Sequence, residues 1–107
     1  MKVYAKQDKE GMGWFRLRIS FRGKEYATEA LLRSGSDRTI LSDQHLQLTS
    51  LEGFNVCKAG VGFEELEVYE IPIEQLCIEN RALSGIDKIY VSSLPYFNEH
   101  PVIGTDR

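Results

Sequence analysis

Between Trp14 and Phe21 the chain alternates: Phe15, Leu17, Ile19 and Phe21 are apolar, and the residues between them, Arg16, Arg18 and Ser20, are polar. Successive side chains of an extended backbone point to opposite faces, so this segment is a strand with one buried and one wet face. Arg22-Gly23-Lys24-Glu25 then turns the chain into Tyr26–Leu32, a partner strand that ends in an apolar pair. Phe54–Lys58 and Leu66–Ile71 form a longer hairpin around a flexible tip, Ala59-Gly60-Val61-Gly62. Ile73–Ile78 is again strand-like, with Pro72 marking an edge or a bulge. Another turn follows at Glu79-Asn80-Arg81, and Ile86–Ser92 is the last clear strand. Ser42 is placed to cap a short helical turn through Leu46. Pro95 to Pro101 reads as a polar and aromatic connection to Val102-Ile103-Gly104. The expectation is an all-β fold of six or seven strands with little helix, closed or folded over into a barrel that protects its edges.

With 107 residues the chain is long enough to bury a core of its own, and one domain over 1–107 is expected. A net charge of -3 offers no large positive field for a phosphate backbone, so nucleic acid is not expected as a partner. No apolar stretch is long enough to span a bilayer, and no membrane partner is expected. Lys2, Lys6, Asp8, Lys9 and Glu10 interrupt the first twelve residues, which leaves no apolar core for a secretory signal; a cytoplasmic location follows as the expectation. Cys57 and Cys77 lack the short spacing of a zinc or redox pair and read as buried thiols, with a disulfide as the alternative. His45 and His100 stand apart from other ligand-type residues, so neither a metal nor a cofactor is expected.

The segment that carries chemical information is Ala30-Leu31-Leu32-Arg33-Ser34-Gly35-Ser36-Asp37-Arg38-Thr39-Ile40-Leu41. A Ser-Gly-Ser triplet alone marks nothing beyond a turn. With an apolar strand before it, Thr-Ile-Leu after it, the glycine-tipped hairpin at Gly60-Val61-Gly62-Phe63 and the late Pro101-Val102-Ile103-Gly104-Thr105-Asp106, the order of features resembles the retropepsins, the single-domain aspartic proteases of retroviral type. In that family an apolar strand delivers Asp-Ser/Thr-Gly-Ala/Ser into a tight loop, a flap hairpin covers bound peptide, and a late apolar-apolar-Gly-Arg-Asp/Asn segment follows. The resemblance implies an acid-protease half-barrel with a flap, acting as a homodimer on an extended peptide or protein substrate. It places Arg33, Ser34 and Gly35 at the catalytic loop and Ser36, Asp37, Gly60, Val61, Gly62 and Phe63 at the substrate.

Two departures matter. Thr105 stands where the family has an arginine that pairs with the acid after the signature, here Asp37, so that ion pair is lost or remade by Arg38 or Arg107. Arg33 stands where the family has its catalytic aspartate. Two aspartates, one from each subunit, share a proton because like charges that close cannot both ionise, and one of them activates the attacking water. A guanidinium has no acceptor and stays protonated, so the sequence as written is expected to be inactive. Two guanidiniums about 4 Å apart across a dimer axis would repel by roughly 4 kcal/mol at an effective dielectric near 20. A weakened dimer or a monomer is therefore expected, the more so because the family's terminal helix and strand are not encoded before Arg107. Two readings of Arg33 stay open. One is inactivation of an otherwise intact protease; the other is a non-catalytic relative whose cleft binds peptide, with the arginine meeting a carboxylate.

Overall fold

A computed structural model describes residues 6–7, 13–33 and 35–104. Its strands are β1 (Lys6–Gln7), β2 (Gly13–Phe21), β3 (Lys24–Leu32), β4 (Ile40–Ser42), β5 (Asn55–Val61), β6 (Glu64–Pro72), β7 (Gln75–Ile78), β8 (Arg81–Leu83), β9 (Lys88–Ser92) and β10 (Val102–Ile103). A 3₁₀ turn spans Asp43–Leu46, and a single helical turn, α1, spans Tyr96–Glu99. The fold is mostly β, as the alternation requires. The expected six or seven strands become ten among the described residues, because β1, β4, β8 and β10 are two or three residues long, too short to carry a period.

All ten strands belong to one sheet, in the order β5-β6-β9-β4-β10-β3-β2-β7-β8, with β1 pairing β2 off this path. That sheet is open: the expected closed barrel is not formed, since β5 and β8 end the order without pairing each other. The edges are blunted by other means. β8 is short and carries exposed Arg81; β5 carries exposed Lys58 and meets an isolated bridge between Ser36 and Val61 at its far end.

The β2–β3 hairpin closes through Arg22 (φ 51°) and Gly23 (φ 77°), and β7–β8 through Glu79 (φ 49°) and Asn80 (φ 68°). Two successive positive φ values make both turns type I′, whose twist matches that of the flanking strands. In β2, Leu17 and Ile19 are fully buried and Phe15 and Phe21 nearly so, confirming the alternation.

β10 lies between β3 and β4, parallel to the first (Val102 opposite Leu31) and antiparallel to the second (Val102 opposite Ile40). β4 also pairs β9 in parallel. These inner strands are buried on both faces. Leu41, Ile89, Val91 and Ile103 join the larger core beneath β2, whereas their chain neighbours Ile40, Tyr90 and Val102 join a second cluster with Ala59, Val68 and Phe97. Through Phe97, α1 is tied to the long hairpin β5–β6.

Candidate functional site

The covalent link between β3 and β4 is the loop 33–39, and β10 passes between the two strands that this loop joins. Arg33 N–H donates to the Ile103 carbonyl at 3.0 Å, and Gly104 N–H donates to Thr39 Oγ1 at 3.2 Å. Gly104 is packed so closely that a Cβ there would come under 3.0 Å from the Arg38 backbone. Within the loop, Ser36 N–H donates to the Arg33 carbonyl at 3.1 Å, and the buried Ser36 hydroxyl donates to the Arg38 carbonyl at 2.7 Å.

The tip of β5–β6 docks on the same loop. Gly62 N–H donates to the Gly35 carbonyl at 2.8 Å and Asp37 N–H to the Gly60 carbonyl at 3.0 Å. Asp37 Oδ1 in turn accepts Gly60 N–H at 2.9 Å. The paired strands run on to Val61 and resume at Glu64, so the turn is Gly62-Phe63 rather than the four residues 59–62. Gly62, at φ 63°, takes the first central position, where a side chain would strain the backbone. Three segments far apart in the chain, 33–39, 60–62 and 102–104, thus meet through backbone hydrogen bonds.

A cleft of about 650 Å³ opens beside this junction, lined by Arg33, Val61, Gly62, Phe63, Glu64, Leu66, Leu94, Tyr96 and Phe97. Arg33 Nη1 donates to the Tyr96 hydroxyl at 3.2 Å. Tyr96 is itself held by stacking on His100, with ring centroids 4.7 Å apart, and by an edge contact with Phe97 at 5.2 Å. Phe63 is fully exposed at the turn.

Behind α1, Ser42 N–H donates to His45 Nδ1 at 2.9 Å, while Ser42 Oγ accepts Gln44 N–H at 3.1 Å. This reciprocal cap bears out the helical turn expected after Ser42. The Ser42 hydroxyl also donates to Asn98 Oδ1, joining the turn to α1. Burial pushes the His45 imidazole below its ordinary value of 6.5, against a smaller opposing pull from a hydrogen bond to the Asn98 backbone. Cys77 is buried but Cys57 only half so, and both are free thiols. Burial, followed by the nearby Glu70 carboxylate, raises the Cys57 pKa and leaves it a poor nucleophile.

Of the residues assigned from sequence, Arg33, Val61, Gly62 and Phe63 line the cleft. Gly35, Asp37 and Gly60 form its hydrogen-bonded margin, and Ser36 is wholly buried as an internal brace. Ser34, Thr105, Asp106 and Arg107 lie outside the described residues. Arg38 does not remake the ion pair with Asp37; its guanidinium lies over the Tyr90 ring, 5.0 Å from the centroid. Glu64, Leu66, Leu94, Tyr96 and Phe97 also line the cleft and are not among the site residues assigned from sequence. The run Leu94-Pro95-Tyr96-Phe97, three large apolar side chains at the start of the connection Pro95 to Pro101, was the available signal. Among the described residues no three His, Cys, Asp or Glu side chains gather as a metal group, and no helix is long and apolar enough to cross a membrane. The chain matches no protein-family model and no curated protein sequence.

Proposed function

We propose that this chain is a retropepsin-like aspartic endopeptidase subunit, hydrolytically silent as written because Arg33 occupies the position of the catalytic aspartate. The observation that carries the reading is the convergence of loop 33–39, the hairpin tip 60–62 and Ile103-Gly104. These are the three segments on which the resemblance rests, and unrelated turns have no reason to meet. On this reading the open sheet is the half of an acid-protease fold that one subunit contributes, and the protein works in the cytoplasm, where Cys57 and Cys77 stay reduced.

The chemistry follows from Arg33. Its guanidinium keeps its protons at any working pH and has no lone pair with which to take one from water, so the hydrolytic step has no base. Hydrogen bonds also join the tip to Gly35 and Asp37 directly, and a peptide lying between tip and loop would have to displace them. The Arg33 side chain leans toward Tyr96 of its own chain, which moderates repulsion between two copies without removing it. Sedimentation should therefore find a weak dimer or a monomer.

The test is Arg33→Asp, assayed with a mixed peptide library between about pH 4 and 7, where a shared-proton carboxyl pair works. Cleavage that rises with dimer concentration is the expected result; no cleavage by a folded, dimeric variant would defeat the protease reading. A second reading, a peptide-binding module without catalysis, is favoured by a separate observation: the cleft with its large exposed apolar groups lies to one side of the hydrogen-bonded tip and needs no opening.

A further inference from the structure

Arg33 is the one cationic residue among those lining the cleft, and among the described residues no carboxylate lies within ion-pair distance of it. Its side-chain hydrogen bond goes to the Tyr96 hydroxyl, which engages one of the five guanidinium N–H donors and leaves the rest for a ligand. A guanidinium set among apolar side chains gains most from a carboxylate, which it holds by paired, charge-assisted hydrogen bonds.

The apolar groups come from two separate elements. Val61, Phe63 and Leu66 come from the hairpin; Leu94, Tyr96 and Phe97 come from the segment around α1. Arg33 is joined to the second group through the Tyr96 hydroxyl, and its loop is joined to the first through Gly35. Phe63 has its whole side chain in solvent, and Leu94 and Tyr96 are 45% and 47% exposed. Large apolar side chains left in water around a concavity mark a surface that expects a partner. Glu64, on the hairpin side, disfavours a second acid there.

We propose that this cleft binds an extended peptide segment in which one acidic side chain is flanked on both sides by large apolar residues, the carboxylate seated on Arg33. An internal residue fits better than a chain terminus, because a terminus has chain on one side alone and would leave half of the apolar wall uncovered. The proposal rests on reading the Arg33 cleft as a peptide site and goes further in naming the peptide.

The experiment measures binding of short end-capped peptides to the full chain by fluorescence anisotropy, with a central Glu or Gln between Leu and Phe residues. The Glu peptide should bind at least about tenfold more tightly than its Gln counterpart, as a charge-assisted pair implies. Arg33→Gln, checked for folding by circular dichroism, should erase that difference. Phe63→Ser, at a fully exposed position, should weaken both peptides alike. Equal affinity for Glu and Gln peptides, or a preference that survives Arg33→Gln, overturns the proposal. So does tighter binding of an uncapped peptide through its terminal carboxylate, or self-association of the chain that blocks the cleft. Failure here is separable from failure of the protease reading: a cleaving Arg33→Asp variant beside an unaltered chain blind to acidic peptides sinks this inference alone.

Discussion

The two long hairpins of this molecule solve the same local problem and end differently. Both close in two residues, and both have a backbone amide at or near the tip held by a carboxylate from elsewhere. Glu74 accepts Arg22 N–H at 3.2 Å and Gly23 N–H at 2.9 Å, as Asp37 accepts Gly60 N–H. At the β2–β3 turn the remaining side chain, though exposed, has partners: Arg22 stacks over Phe21 and Phe54, at 4.9 and 5.5 Å from the ring centroids. At the β5–β6 turn, Phe63 is left fully in water beside a cleft. On the proposed function, the second hairpin is the one that meets a partner, and the first serves the fold alone.

The largest expected effect separates the cores under the two hairpins. Phe97 is buried against Ala59 and Val68, and Phe97→Ala should cost about 3–5 kcal/mol by chemical denaturation. Hydrogen exchange should accelerate in β5–β6 before β2–β3; uniform acceleration would mean the two clusters behave as one. Next comes Asp37→Ala, which removes a charged acceptor from Gly60 and should cost about 1.5–3 kcal/mol, with faster amide exchange at Gly60 and Gly62. A tip that stays as protected as before would show that backbone bonds alone hold it. Glu74→Ala removes the carboxylate acceptor of two amides at an equally exposed turn and should cost a similar amount, about 1.5–3 kcal/mol. Phe63→Ser should be the smallest, within about 0.5 kcal/mol, since nothing packs on that ring.

A pH titration sharpens the contrast. Because the folded state holds the His45 pKa below its ordinary value of 6.5, its contribution is complete above that pH and is lost as pH falls through the lowered value. The proton would land on Nδ1, which accepts Ser42 N–H, so loosening should begin at the 3₁₀ turn and α1 and spare the β2–β3 turn. Thermal unfolding at falling pH, with and without His45→Gln, measures it; an identical pH dependence in both proteins would contradict the assignment.

Much of the hairpin architecture was legible because period two and positive-φ turn residues are local signals: Phe15 to Phe21 and Arg22-Gly23 needed no tertiary information. β10 and β4 were not legible as strands, since a two- or three-residue strand exists only through its neighbours. Arg33 and the hairpin tip could be picked out as site residues from the order of motifs. The bond between Tyr96 and Arg33 could not, because it depends on a single helical turn brought back to Arg33 across 63 residues of chain. Barrel closure failed as an expectation because edge protection has other solutions, here a short β8 and a loop bonded to the end of β5.

The proposed hydrolytic silence of this chain rests on the charge at position 33. Purified unaltered chain, incubated at high concentration with the mixed peptide library across mildly acidic pH and read by mass spectrometry, should leave every peptide bond intact. Turnover by that chain, inhibited by a transition-state mimic of aspartic proteases, would contradict it.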